Sequence, residues 1–429
     1  MNNKKKVLII TYYWPPAGGS GVQRWVKMAK YLEEFNISPV ILTVQDEYAA
    51  YPVVDQSFNI DISNSIEVIK TKSRNYYSFF KIFNKQYKIP QGGVGNKSKS
   101  NLLQYISLFV RNHLFVPDPR IGWNNYALKE AKKIITKKNI DTFITTSPPH
   151  STQLIGLELK KWRGDLNWLA DFRDPWTDIF YYKDLKHTFI SNYLNKKKEI
   201  EVLSKSNLIT VVSPNMKSIF ESKGIDERKI KVIPNGFDES DFKDKNIAKN
   251  PKFTISYIGI ANILYDISSF ILALEKFGET NDYQLNIIGE FTDDLINKIN
   301  KSSVKNNIKI LGYLPHKEAI TYTKSSDLLL LVIPNVPNNK LIYTGKLFEY
   351  IASGNPILCI GPKNGDAQIV IEENKFGKSF EYDQVNKIYD FICSVESGDF
   401  IINTNNYDVN KYSRKNLAFE FSKIVKQVL

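Results

Sequence analysis

The chain has 429 residues, 42% of them hydrophobic and 24% charged, enough to bury a core in each of two or three domains. That excludes a collagen-like or mostly disordered chain, and the presence of only two cysteines, Cys359 and Cys393, excludes a disulfide framework. Lysine and arginine total 58 against 45 acidic residues, a formal charge of +13, which attracts nucleic acid, anionic membrane or phosphorylated small molecules.

Nucleic acid is the weakest of these three partners, because no zinc-finger spacing, RNA-binding aromatic signature or basic arm accompanies the short lysine clusters at 132–138 and 196–198. The lysines at 4–6 followed by the apolar run 7–13 imitate a secretion signal. Two tyrosines in the run, the lack of a small-residue cleavage pattern and the glycine loop that follows favour a buried strand instead. No run reaches the 18 apolar residues of a spanning helix, so a cytoplasmic protein, bound at most to the membrane surface, is expected.

In chain order, β-branched runs at 7–13, 39–44, 66–70, 142–146, 168–171 and 208–212 predict buried strands, with helical spacing between several of them, as at 22–35 and 151–162. Continuous apolar strands joined by crossover helices signal a parallel sheet covered on both faces. Residues 73–120 break this rhythm. They carry Tyr76, Tyr77, Phe79 and Phe80, a Gly-rich turn at 91–95, and a mixed apolar and basic segment at 102–115. That segment suits either a helix packed on its own domain or one lying on a membrane. The turn Pro234-Asn235-Gly236 marks a boundary. A second series of strands follows at 253–258, 285–288, 308–311, 328–333 and 356–360. The prediction is an α/β chain of two doubly wound, Rossmann-like domains, 1–234 and 235–410. The helical segment 411–429 either extends the second domain or crosses back to the first.

Four stretches carry candidate chemistry. Gly18, Gly19, Ser20 and Gly21, between the first strand and the first helix and followed by Arg24, offer backbone amides to an anionic or polar ligand. The spacing is neither a Rossmann fingerprint nor a Walker loop. His150, one of four histidines, closes Thr145-Thr146-Ser147-Pro148-Pro149-His150-Ser151 at a strand's carboxyl end, where parallel sheets bind ligands, although Ser-Pro-Pro is also a plain helix boundary. Asp171, Arg173 and Asp174 occupy a third strand-end loop, as a structural ion pair or as groups that orient a substrate and steady developing charge. In the second half, Thr344, Gly345 and Lys346 open a helix, so amides and an ammonium converge on one anionic group, and Glu349, one turn on, suits a pair of ribose hydroxyls. No Asp-x-Asp metal motif stands at a strand end, so no metal ligands are assigned and no required metal or other cofactor is expected.

Taken together, YYWPPAGGSGVQR, TSPPHS, ADFRDPW, VIPNGFD, IKILGYL and TGKLFEYIASGNPI resemble the retaining family 4 glycosyltransferases of GT-B fold over nearly the whole chain. The resemblance implies two Rossmann-like domains facing across a cleft, a nucleotide sugar held mainly by the second domain, an acceptor held mainly by the first, and a C-terminal helix that crosses back. By position, Glu349 resembles the glutamate that binds the nucleotide ribose, and 18–21 the loop beside the donor phosphates and sugar. Gly259 resembles the glycine of the phosphate-binding turn, and Gly312-Tyr313-Leu314 the segment that reads the base. The 171–174 loop falls near the reacting sugar, with Asp171 as the candidate to steady it.

Two features depart from the family. Leu341 stands where many relatives keep the first glutamate of an E-x7-E pair, and 260–265 lacks the arginine and lysine that often follow the Gly259 position. Lys346 is then the first candidate to neutralise the diphosphate, with Arg24 and Arg173 behind it. The implied reaction is hexosyl transfer from a nucleotide diphosphate sugar to an acceptor hydroxyl with retention. A surface polysaccharide or a lipid-linked or lipopolysaccharide glycan is the expected acceptor, with peripheral contact to an anionic membrane. The alternatives are a UDP-sugar 2-epimerase of the same fold and a non-catalytic nucleotide-sugar-binding protein.

Overall fold

The computed structural model describes residues 4–77, 115–185, 187–243, 247–402 and 409–427. The described residues form two compact units, one of 1–234 with 414–429 and the other of 235–413.

The first unit is built on a seven-stranded parallel sheet in the order β3-β2-β1-β4-β5-β6-β7. Its strands are β1 (Lys5–Ile10), β2 (Ile37–Val44), β3 (Glu67–Thr71), β4 (Thr142–Ser147), β5 (Asn167–Phe172), β6 (Leu208–Val211) and β7 (Ile230–Val232). Helices α1 (Ser20–Leu32), α2 (Asn124–Lys138), α3 (Ser151–Trp162), α4 (Phe189–Lys205) and α5 (Pro214–Ser222) lie between strands. The apolar runs read as strands because both faces are covered. Leu8 and Ile10 enter one core with Trp123, Phe143 and Trp168, while Val7 and Ile9 enter another with Val22, Trp25 and Ala29.

That second core is completed from the far end of the chain. Helix α12 (Arg414–Lys426) contributes Leu417, Ala418, Phe421, Ile424 and Val425, and the Phe421 ring meets Trp25 edge to face at 5.6 Å. Truncating such an aromatic to alanine costs about 3–5 kcal/mol, so the returning helix is part of this unit's core.

The second unit carries a six-stranded parallel sheet in the order β10-β9-β8-β11-β12-β13. Its strands are β8 (Phe253–Ile258), β9 (Tyr283–Ile288), β10 (Ile308–Gly312), β11 (Leu328–Val332), β12 (Ile357–Ile360) and β13 (Gly377–Phe380). Its helices are α6 (Ser268–Gly278), α7 (Asp293–Asn300), α8 (His316–Ser325), α9 (Gly345–Ser353), α10 (Asp366–Glu373) and α11 (Val385–Glu396). The two doubly wound sheets are those the sequence pattern predicts. Strands β7 and β13 are the two it did not predict, since Ile230–Val232 is only three residues long, Gly-Lys-Ser-Phe has no apolar run, and each pairs along one edge only. The second unit also reaches three residues past the expected 410. Tyr412 packs on Phe348 with centroids 5.1 Å apart, and its carbonyl accepts the Phe237 amide at 3.2 Å. The segment at 91–95 and most of 102–115 fall outside the described residues, as do Phe79 and Phe80.

Candidate functional site

In each sheet the strand order reverses beside the first strand, between β1 and β4 in one unit and between β8 and β11 in the other. Loops at the carboxyl ends of those strands are the places where doubly wound sheets hold ligands. Of the predicted residues, those at 18–21 follow β1, His150 follows β4, Gly259 follows β8 and 344–346 come after β11, whereas Asp171 lies within β5, Arg173 and Asp174 follow that strand, and Tyr313 follows β10.

In the first unit, Gly19 precedes α1 with φ 100°, a left-handed conformation open to glycine. The Gly18 amide donates to the Val53 carbonyl at 2.9 Å, which ties the turn to the neighbouring loop. Ser20 is the first residue of α1. Gly21 has a tighter requirement, because a Cβ there would lie 2.0 Å from Arg173 Nη1. The Arg173 guanidinium therefore lies against the first turn of α1, where the helix already presents its positive end. Asp174 accepts from Arg173 Nη2 at 3.0 Å and offsets part of that charge.

Asp171 has a different part from the one expected. It is fully buried, and its Oδ1 accepts from Arg24 at 3.1 Å and Thr210 at 2.8 Å. Its Oδ2 accepts from Thr146 at 2.8 Å and Trp25 Nε1 at 3.1 Å. Four donors fill the carboxylate, so it ties α1 to β4, β5 and β6 and presents no lone pair to a sugar. Arg24 is spent in the same way. Its Nη2 also donates to the Ile233 carbonyl at 3.0 Å and its Nη1 to the Pro234 carbonyl at 2.8 Å, Nε is buried without a partner, and the residue is 3% exposed. A guanidinium so held is not available to a diphosphate.

His150 stacks on Trp176 with rings 5.2 Å apart and 8° from parallel, and its buried Nδ1 has no hydrogen-bond partner. Burial between the aromatics pushes its pKa down to about 4, so the imidazole is neutral at pH 7 and able to accept a proton or a hydrogen bond. The helix it precedes is anchored by Asp118, which accepts from the Ser151 amide and hydroxyl, each at 2.9 Å. Asp118 carried no signal in the sequence beyond standing ahead of a proline.

In the second unit the carboxyl ends of three adjacent strands finish in glycines. Gly259 after β8, Gly289 after β9 and Gly312 at the end of β10 have φ 139°, 121° and 67°. The Gly259 amide donates to the Ile288 carbonyl at 2.8 Å and the Gly289 amide to the Gly312 carbonyl at 2.7 Å. A Cβ on Gly289 would lie 2.1 Å from the Gly259 oxygen. Backbone thus approaches backbone with no side chains between, leaving a floor on which a ligand can rest. Gly289 was missed from the sequence; its only mark is that it ends an apolar run as Gly259 does.

Onto this floor comes Lys346 from the first turn of α9. A Cβ on Gly259 would stand 2.7 Å from its Nζ. The ammonium lies over the Tyr257 ring at 4.2 Å and donates to that hydroxyl at 2.9 Å. Tyr257 in turn donates to the Ile260 carbonyl at 3.1 Å. Burial pulls the lysine pKa down to about 7, against a smaller upward pull from Glu349 one turn on. Lys346 has no ion pair among the described residues. Thr344 caps the helix with extended backbone, makes no side-chain cap bond, and leaves its buried Oγ1 unpartnered. Glu349 is half-buried and Tyr313 67% exposed. An unpaired ammonium, an idle hydroxyl and a helix N-terminus around bare glycine backbone form a site that suits an anion.

Residues 97–241 match the family model described as Glycosyltransferase Family 4. No curated protein matches the sequence. Among solved structures, a glycosyltransferase from Rickettsia africae is similar at 17% identity, with 99% of each chain covered and a TM-score of 0.61. Sucrose-phosphate synthase from Thermosynechococcus elongatus is similar at 12% identity, with 99% of each chain covered and a TM-score of 0.64. HepE from Anabaena, in complex with UDP and glucose, is similar at 14% identity, covering 99% of this chain and 100% of the other, with a TM-score of 0.60. The chain has the GT-B fold, and the residues matched by the family model include the TSPPHS, ADFRDPW and VIPNGFD stretches that resemble family 4.

Proposed function

We propose that the chain is a glycosyltransferase that holds a nucleoside diphosphate sugar in its second unit and transfers the hexosyl group, with retention, to a hydroxyl of a glycan or lipid-linked acceptor. The observation that carries this is the placing of Lys346 Nζ at Gly259, beside the start of α9 and the glycine ends of three strands. Residues 260–265 contribute no cation, and Lys346 delivers one to the same place from another helix.

In the transfer, the bond from the anomeric carbon to the phosphate oxygen breaks and a bond to the acceptor oxygen forms on the same face. The departing diphosphate takes the acceptor's proton. Its growing charge is met by Lys346 and the free amides of α9, a preorganised arrangement that needs no metal. Glu349, one turn further along α9, is the proposed acceptor of hydrogen bonds from the ribose hydroxyls. Arg173, lying on the first turn of α1 with its charge partly offset by Asp174, is a candidate cation of the first unit for an anionic part of the acceptor. The neutral His150 is its candidate acceptor of a hydrogen bond from substrate.

Thermal melting with UDP, GDP, ADP and their sugars tests the donor assignment, because a ligand of the folded state alone raises the midpoint. One nucleoside diphosphate is expected to raise it, and Lys346→Ala and Glu349→Ala to abolish that shift together with slow donor hydrolysis. No shift with any of them, or unchanged shifts in both variants, would overturn the assignment.

A further inference from the structure

Helix α4 is turned the wrong way round for its composition. Ser191, Asn195 and Glu199 face inward at 2%, 1% and 1% exposure, while Phe189, Ile190 and Tyr193 face outward at 86%, 69% and 56%. Leu194 and Ile200 extend the outward face at 37% each. The rotation is fixed by bonding on the inner side. Asn195 accepts from Trp176 Nε1 at 2.9 Å, and Glu199 accepts from the Thr177 hydroxyl at 2.5 Å and pairs with Lys223 at 2.8 Å. Among the described residues the apolar stripe is therefore left uncovered, and at 100° per residue its members form one continuous arc.

Lys196 and Lys197 stand on that same arc, exposed, and Lys183 is exposed just ahead of the helix; none has an acidic partner among the described residues. The nearby acids do not cancel them. Glu199 points inward, and Glu201 is engaged by Lys198 at 3.1 Å and Lys161 at 3.5 Å, which leaves the exposed Asp184.

We propose that the outward face of α4 docks on an anionic lipid bilayer, with Phe189, Ile190 and Tyr193 entering the headgroup boundary and the lysines meeting lipid phosphates. Among the described residues no helix is long and apolar enough to cross a membrane, so the contact is with the surface. A second copy of the chain laid on this face would oppose Lys196 and Lys197 to their own counterparts, which charge disfavours. The proposal gives the membrane contact a place on the molecule and rests on this helix alone, independent of the donor site.

The test is co-sedimentation of the full chain with phosphatidylcholine vesicles with and without phosphatidylglycerol. Wild type is expected to sediment with the anionic vesicles at low salt and to be released at high salt. Replacing both lysines (Lys196→Gln with Lys197→Gln) is expected to weaken partitioning about fivefold per lysine. Phe189→Ser with Ile190→Ser is expected to abolish it, with the melting midpoint and its shift by nucleotide unchanged, since both side chains already face water. Retained nucleotide binding in these variants separates failure here from failure of the donor assignment. Equal sedimentation with neutral vesicles, unchanged binding in the Phe189 and Ile190 variant, or a wild-type dimer that this variant dissociates would each overturn the proposal.

Discussion

Asp171→Ala separates a framework carboxylate from a catalytic one. In the native unit this side chain is fully buried and accepts from Arg24, Thr210, Thr146 and Trp25. Its removal leaves the Arg24 guanidinium, 3% exposed, with carbonyl partners and no counter-charge. Breaking a buried pair from one side costs about 3–5 kcal/mol, because the orphaned charge stays desolvated. At roughly 2–4 °C per kcal/mol for a unit of this size, the midpoint falls by roughly 6–20 °C. Arg24→Met with Asp171→Leu removes both charges, and its loss is expected to be smaller than the sum of the two single losses by about 1–3 kcal/mol. The assay is thermal melting by near-ultraviolet circular dichroism, paired with donor hydrolysis at a temperature where each variant is folded. An Asp171→Ala protein that melts like wild type and has lost hydrolysis would refute the framework role and return the residue to the reaction.

Three further outcomes follow from the same geometry. Gly259→Ala places a methyl 2.7 Å from Lys346 Nζ in a backbone conformation of φ 139°, so about 1–3 kcal/mol of stability and most nucleotide binding should be lost in melting and titration experiments. Lys346→Met removes a charge-assisted contact of about 1.5–3 kcal/mol, which calorimetry should read as a nucleotide-sugar Kd raised about 10- to 100-fold at pH 7. In wild type the lysine pKa of about 7 makes binding tighten as pH falls from about 9 towards 7, with proton uptake on binding, and Lys346→Met should flatten that dependence. His150 has a folded pKa of about 4 against 6.5 when exposed, so the unfolded chain binds more protons between those values and stability falls as pH drops through that window. His150→Gln should remove roughly 2–4 kcal/mol of that acid loss in urea titrations, and an unchanged acid limb would count against the buried neutral imidazole.

The fold was legible because parallel strands buried on two faces must be apolar along their length, as Val7, Leu8, Ile9 and Ile10 and the run from Leu328 to Val332 are. The pattern fails at an edge, where Gly377–Phe380 needs only one partner strand and one covered face. Among the loop residues, the glycines that open α1 and the Gly345-Lys346 pair could be found because several unusual residues are adjacent in sequence. Gly289 could not, because its importance lies in standing beside Gly259, and that adjacency comes from the crossover that returns β9 to the side of β8.

Asp171 and helix α4 escape sequence reading for the same physical reason, in opposite directions. A strand-end aspartate followed by Arg-Asp has the composition of a reactive loop, yet the arginine that claims it is Arg24, brought from α1 nearly 150 positions away. A helix with Phe189, Ile190, Tyr193 and Leu194 at near-helical spacing has the composition of a core element, yet Trp176 and Lys223 bind its polar side and turn the apolar side out. In both places polar partners distant in sequence decide which face is buried, and local hydropathy carries no information about them. Exposed polar atoms and exposed apolar rings therefore have to be judged against what their opposite faces hold. By that standard, the Lys346 ammonium, held on Tyr257 but with no carboxylate paired to it among the described residues, and the outward rings of α4 each call for a partner from outside the chain.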